Sequence, residues 1–216
     1  MTRNRNVSPQ PRPAGCHVPS RAPPNPSSPR RAFLRAALAA AFGLTLAPSA
    51  SAQDDKPGSG ERPKPGDLLV FAEDDHAGRT VMPAHLALGE PPVLVWPMDP
   101  ATRVVRDGSR LNTVLLLRLD PASLDEDTQS HAADGIIAYS AICTHAGCPV
   151  TGWVEEAGQP MLKCFCHNSA YDPRHQGIVV LGPAPHHLAV LPLKIVDGAL
   201  AVAGKFVGRV GPTQSG

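Results

Sequence analysis

Two short segments hold four of the five cysteines: Cys143-Thr144-His145-Ala146-Gly147-Cys148 and Cys164-Phe165-Cys166-His167-Asn168-Ser169-Ala170-Tyr171-Asp172. Each offers a cysteine with a histidine close behind it, then or in between one further cysteine. Each also begins where an apolar run ends, residues 136–140 before the first and 160–164 before the second, so both read as loops at strand ends. Thiolate and imidazole recurring together at matched places in two loops are metal-ligand types. The fold must therefore bring two loops some 20 residues apart face to face, which demands a rigid scaffold behind each of them.

The rest of the body supplies strands for that scaffold. From residue 67 onward, short apolar runs alternate with Gly, Pro and Asp: 68–72, 92–96, 113–119, 136–140, 160–164, 178–181, 188–195 and 199–202. Runs of four to eight residues bounded by turn formers are strand-like. The Asp197-Gly198 pair between two such runs predicts a tight hairpin. No stretch keeps a capped helical period for more than about three turns. The expected fold is all-β, a small antiparallel sandwich or barrel. With nine aromatic residues in the whole chain, its core must be built mostly from Val, Leu, Ile and Ala. Residues 120–134, with five acids and no Lys or Arg, read as a solvated connecting loop.

Charge divides the chain in two. Residues 1–52 carry seven Arg and no acid, whereas 53–216 carry 13 Lys plus Arg against 19 Asp plus Glu, a +7 leader on a −6 body. Eight of the 25 prolines fall in the first 29 residues, and such a segment buries too little apolar surface to offset the entropy of ordering. Arg30-Arg31 with Phe33 and Leu34 behind them, the uncharged run 36–47 and the small-residue end Ala50-Ser51-Ala52 make the three parts of a secretory signal, similar to the twin-arginine type. A spanning helix needs about 20 apolar residues, so cleavage after Ala52 is expected over a retained anchor, with the body in an oxidising compartment such as the periplasm. Residues 53–66 have linker composition, and Cys16 receives no role. An acidic body with no basic patch argues against nucleic acid as a partner.

The ligand types admit several readings. A [2Fe-2S] cluster with two Cys on one iron and two His on the other needs this set; neutral imidazole in place of thiolate makes it easier to reduce, and such centres span about −150 to +300 mV. Cys143, His145, Cys164 and His167 would then be the ligands. Cys148 and Cys166 remain, one per loop, placed to pair in an oxidising compartment. A Cys2His2 zinc module uses the same donors, though it leaves one extra cysteine per loop without a purpose. Four metal-binding cysteines would leave the histidines without one. His76, His85, His131, His175, His186 and His187 are read as structural or solvated.

The two segments, followed by Gly182-Pro183-Ala184-Pro185-His186-His187-Leu188, resemble the Rieske iron–sulfur proteins of respiratory chains, the iron–sulfur subunits of quinol–cytochrome c reductases. The resemblance is specific over residues 143–188 and only architectural over 67–142. It implies an antiparallel β-sandwich base domain within 67–216 and a small cluster-binding subdomain near 140–188. It makes Cys143 and Cys164 ligands of the inner iron, His145 and His167 ligands of the outer one, and Cys148–Cys166 a disulfide. Ser169 is expected to donate to a bridging sulfide and Tyr171 to the Cys143 sulfur, both raising the potential. His167 would take a hydrogen bond and proton from quinol, the catalytic contact of an electron-transfer subunit rather than of a stand-alone enzyme. Partners would be a cytochrome b type subunit and a cytochrome c-like acceptor. Phe165 and Asn168 depart from the Pro and Gly of that pattern. The leader is closer to that of the small Rieske subunit of arsenite oxidase, whose partner is a molybdopterin subunit.

Overall fold

The computed structural model describes residues 56–213, apart from Ala157; the leader, its Arg30-Arg31 pair and Cys16 lie outside the described residues. The elements in chain order are β1 (Leu68–Phe71), β2 (Val93–Met98), β3 (Val114–Arg118), α1 (Glu126–His131), β4 (Ile136–Ser140), β5 (Gly152–Glu156), β6 (Gln159–Cys164), β7 (Ser169–Asp172), β8 (Ile178–Leu181), β9 (Leu193–Val196) and β10 (Ala199–Val202). They build two antiparallel sheets, β4-β3-β2-β1-β10-β9 and β5-β6-β7-β8. The larger sheet curls on itself: Leu191 N–H donates to Ala138 O and Ser140 N–H to Ala189 O, so the chain entering β9 is tied to β4 at the opposite edge. The all-β expectation holds.

β3 and β4 form the middle layer, which explains why both read as unbroken apolar runs rather than alternating ones. Val114, Leu116, Ile136 and Ala138 point into the base core with Leu69, Val95, Leu193 and Leu200. Leu115, Leu117, Ile137 and Tyr139 point the other way, into a second core with Val150, Leu162, Tyr171, Leu188, Cys143 and Cys164. Period-two alternation assigns each residue to one of two cores, so the second sheet is seated on the back of the first through buried contacts. The Asp-Gly hairpin forms as expected between β9 and β10, with Asp197 at φ 49° and Gly198 at φ 80°, the two left-handed conformations its turn needs.

Four local readings change. β5 lies outside the apolar runs because Gly152 interrupts its own, and β7 lies in a stretch that reads as part of a ligand loop. The run 188–195 is a strand only from Leu193, its first half making isolated bridges instead. The acidic connector contains α1, capped by the Asp125 carboxylate accepting from Thr128 N–H. Residues expected as linker are packed from Gly58 onward: Ser59 and Pro63 are buried, Arg106 donates to Gly58 O, and Asn112 Nδ2 donates to Glu61 O.

The expectation of no basic patch is corrected. Arg62, Lys64, Arg110, Lys205 and Arg209 line one cleft against Glu61 alone. They come from three segments more than 40 residues apart in sequence, which a reading of charge runs along the chain does not bring together.

Candidate metal centre

Three connections converge beyond the ends of the second sheet. The first leaves β4 and runs through Cys143 to Cys148. It is folded back tightly: Cys143 N–H donates to Cys148 O and Gly147 N–H to Cys143 O, with Gly147 at φ 74°. The second is the four-residue tip of the β6–β7 hairpin, in which Cys164 pairs with Ser169 and residues 165–168 project beyond the ladder. Asn168 takes φ 61°, a left-handed conformation that Asn tolerates better than most residues. Phe165 stands exposed at that tip, with its ring over Gly152.

The third connection, 182–185, lies directly across the second. A Cβ on Gly182 would stand 2.6 Å from Ser169 Cα and 2.8 Å from Asn168 O, and its φ is 88°. Both the contact and the conformation exclude a side chain there. Ala184 N–H donates to Ser169 Oγ at 3.2 Å, and Thr144 Oγ1 donates to His186 O at 2.6 Å, so residues 184–186 are bonded to the start of β7 and to the first loop.

Within this frame Cys143 and Cys164 are buried free thiols, while Cys148 and Cys166 form a disulfide between the first two loops. The Cys164 sulfur lies within 4.8 Å of both disulfide sulfurs, but those two are already bonded to each other, which leaves Cys143 and Cys164 as the available sulfur donors. The His145 and His167 rings meet edge to face with centroids 4.6 Å apart. His167 is exposed at the tip, and His145 is half-buried with a buried Nδ1 that has no hydrogen-bond partner. Burial, followed by the neighbouring Cys143, pushes the Cys164 thiol up. Two thiolates side by side out of water need a positive charge between them. The donor set, an orphaned imidazole nitrogen included, fits a metal group bound by two Cys and two His.

Tyr171 supplies the support behind the sulfurs. Its hydroxyl is 3.1 Å from Cys143 Sγ and accepts from Thr144 N–H at 3.3 Å, so against a metal-bound Cys143 thiolate its own proton would be directed to sulfur. Burial, then the Cys143 contact, pushes this phenol up and keeps it a donor. Ser169 is fully buried and accepts from Ala184 N–H, which likewise leaves its O–H free to donate. Tyr171→Phe is therefore expected to lower the midpoint potential of the bound cluster by roughly tens of millivolts, since a donor to ligand sulfur favours the reduced, more negative state. A redox titration of the two proteins checks this, and equal midpoints would remove Tyr171 from the site.

Such a constellation on two stacked antiparallel sheets offers the donor types of iron–sulfur proteins with mixed Cys and His ligation. Residues 112–192 match the family model described as the Rieske [2Fe-2S] domain, and that stretch of the chain is a Rieske domain. Its cofactor is a [2Fe-2S] cluster. Among similar proteins, the cytochrome bc1 complex Rieske iron–sulfur subunit of Corynebacterium glutamicum is 38% identical over 107 residues, covering 47% of this chain and 26% of that one. The subunit of the same name from Streptomyces lividans is 37% identical over 101 residues, covering 46% and 58%. The chain thus spans between about a quarter and rather over half the length of these curated relatives. Among solved structures, the soluble domain of Rieske protein II from Sulfolobus acidocaldarius is 18% identical with a TM-score of 0.33, covering 67% of this chain and 73% of that one.

Proposed function

We propose that the chain is the high-potential, one-electron transfer subunit of a quinol–cytochrome c reductase of the cytochrome bc type, with the Rieske domain in the periplasm. The single observation that carries this is the polarity of the site: two buried thiols with a tyrosine donor behind them, and two imidazoles in front, one exposed at the tip of a hairpin. When bound, the cluster supplies a one-electron couple. Cys143 and Cys164 would hold it from the protein side, and His145 and His167 from the solvent side. Tyr171 and Ser169 donate hydrogen bonds that favour added negative charge. The 182–185 loop and the disulfide close the flanks and keep water from the sulfurs. His167, reachable from outside, is the atom-level contact for a quinol donor.

The named relatives, subunits of cytochrome bc1 complexes, support a cytochrome b type subunit as the larger partner and a cytochrome c-like acceptor. The twin-arginine-like leader, residues 1–52, would export the folded, loaded protein, residues 53–57 would link it, and 140–188 would be the cluster-binding subdomain. No helix among the described residues is long and apolar enough to cross a membrane.

The purified, iron-loaded protein is expected to show an EPR signal with a g-average below that of all-Cys clusters and a positive-range midpoint. An all-Cys-like signal, or zinc in place of iron, would overturn the assignment. Capture of a cytochrome b with quinol-dependent reduction of the cluster supports the bc type. Capture of a molybdopterin subunit instead would reassign the chain to the arsenite-oxidase type.

A further inference from the structure

Away from the cluster loops, the described residues gather unneutralised charge in a basic cleft of about 880 Å³. It forms where residues 61–64, Arg110 with Leu111, and 205–212 meet. Five cations line it against one carboxylate, Glu61. That carboxylate is held below its ordinary range, first by its hydrogen bond to Lys64, so the cleft keeps four uncompensated positive charges, five less one. A local excess of that size on a body whose balance is −6 costs free energy by self-repulsion unless an anion relieves it.

Two of the arginines are held by backbone carbonyls, whereas Lys64 is paired with Glu61. Arg62 Nη1 donates to Leu111 O at 3.1 Å, and Arg110 Nη1 to Gly147 O at 2.5 Å. A backbone carbonyl fixes a guanidinium in place without cancelling its charge, leaving the other N–H groups of the fork to an anion. Among the described residues, neither Lys205 nor Arg209 has an ion-pair partner. Between the cations lie Phe206, Leu111, Val210 and Pro212, an apolar wall. Forked donors and point charges crowded into one concavity suit the charge density of phosphate better than single carboxylates spaced along an acidic peptide. The apolar wall suits a ligand with a hydrocarbon or ring portion.

We propose that the cleft walled by Arg62, Lys64, Arg110, Lys205 and Arg209 around Phe206 binds a phosphate group carried on an apolar body. A soluble phosphate ester and the headgroup of an anionic phospholipid share that chemistry. The cleft also reaches the cluster region, because Arg110 is bonded to the carbonyl next to Cys148.

The full chain, loaded with its cluster, is titrated with inorganic pyrophosphate at constant ionic strength while its melting temperature is followed. It is also sedimented with vesicles of phosphatidylcholine, with or without phosphatidylglycerol. A ligand that binds the native state raises the melting temperature, and an anion held only by the arginines of residues 1–52 would bind a cleft variant equally well. The expected result is protection by pyrophosphate that the double variant Lys205→Glu/Arg209→Glu weakens at least about tenfold, with Arg62→Glu doing the same from the opposite wall. Selective retention on phosphatidylglycerol vesicles, displaced by pyrophosphate, assigns the lipid source. Protection without retention assigns a soluble ester. Absence of both, or equal binding by charge-reversed variants whose unliganded melting is unchanged, would overturn the proposal. Its failure leaves the EPR assignment of the cluster untouched.

Discussion

Arg106→Ala is expected to destabilise the protein by about 3–5 kcal/mol, the cost typical of breaking a buried ion pair by removing one partner. Arg106 is 2% exposed and Asp67 is 3% exposed. Two parallel bonds join them, Nε to Oδ2 at 2.5 Å and Nη2 to Oδ1 at 2.8 Å, the bidentate geometry that carries most energy. Nη1 is shared between Gly58 O at 3.2 Å and Glu61 Oε2 at 2.9 Å, and Lys64 N–H donates to Asp67 Oδ2. The hydrogen bond to Asp67, ahead of the opposing effect of burial, pushes the guanidinium further up, so it stays charged at any working pH. Truncation leaves the Asp67 carboxylate buried with one backbone donor and frees residues 58–64 from the sheet. Urea denaturation of both proteins measures the loss. Because the penalty comes from the orphaned charge, Arg106→Leu combined with Asp67→Leu should lose clearly less than the sum of the single changes. Additive losses, or a loss under about 1 kcal/mol for Arg106→Ala, would show that water reaches the pair.

This pair illustrates what the sequence hid. The strap 58–66 has the Pro, Gly and charge content of a linker, and its packing depends on an arginine some 40 residues away that nothing local marks as buried. The basic cleft was hidden for the same reason, since its cations are scattered and only tertiary folding gathers them. β5 was missed because Gly152 breaks its apolar run; the glycine is there because a Cβ would strike Lys163 Cβ at 2.6 Å and the Phe165 ring at 2.8 Å. β7 is masked by its chemistry, because Ser169 and Tyr171 are polar side chains of the site and break its apolar pattern. What was legible had local causes. β3 and β4 are apolar on both faces because both faces are buried, and the Asp197-Gly198 turn is specified by two residues. The ligand loops were legible because metal donors have few other reasons to recur in matched pairs. The pairing of Tyr171 with Cys143 came from resemblance to a family, and no spacing rule would have found it.

Cys148→Ser/Cys166→Ser is expected to lose about 3 kcal/mol of stability and to release the cluster far faster than the native protein. The bond joins residues 18 apart in sequence, and closing a loop of that size removes roughly 3 kcal/mol of chain entropy from the unfolded state. The larger consequence is local. The 165–168 tip projects beyond its β-ladder. Across the two ligand loops, the other polar ties run through the Tyr171 hydroxyl to Cys143 and Thr144, at the base of the site rather than at its rim. His145 and His167 sit one on each loop at that rim, their rings meeting with centroids 4.6 Å apart, so without the staple each imidazole moves with its own loop. A ligand set split between two independent loops no longer holds a shared group by chelation, and each metal bond must then oppose the ordering entropy of a loop. Reduction by dithiothreitol should reproduce the effect in the native protein. The check is the decay of visible absorbance with a chelator present, with circular dichroism recorded in parallel. Cluster loss that precedes unfolding is the expected order. Equal decay rates for the reduced and oxidised proteins would show that the three-loop hydrogen bonding through Thr144, Ser169 and Ala184 suffices without the disulfide.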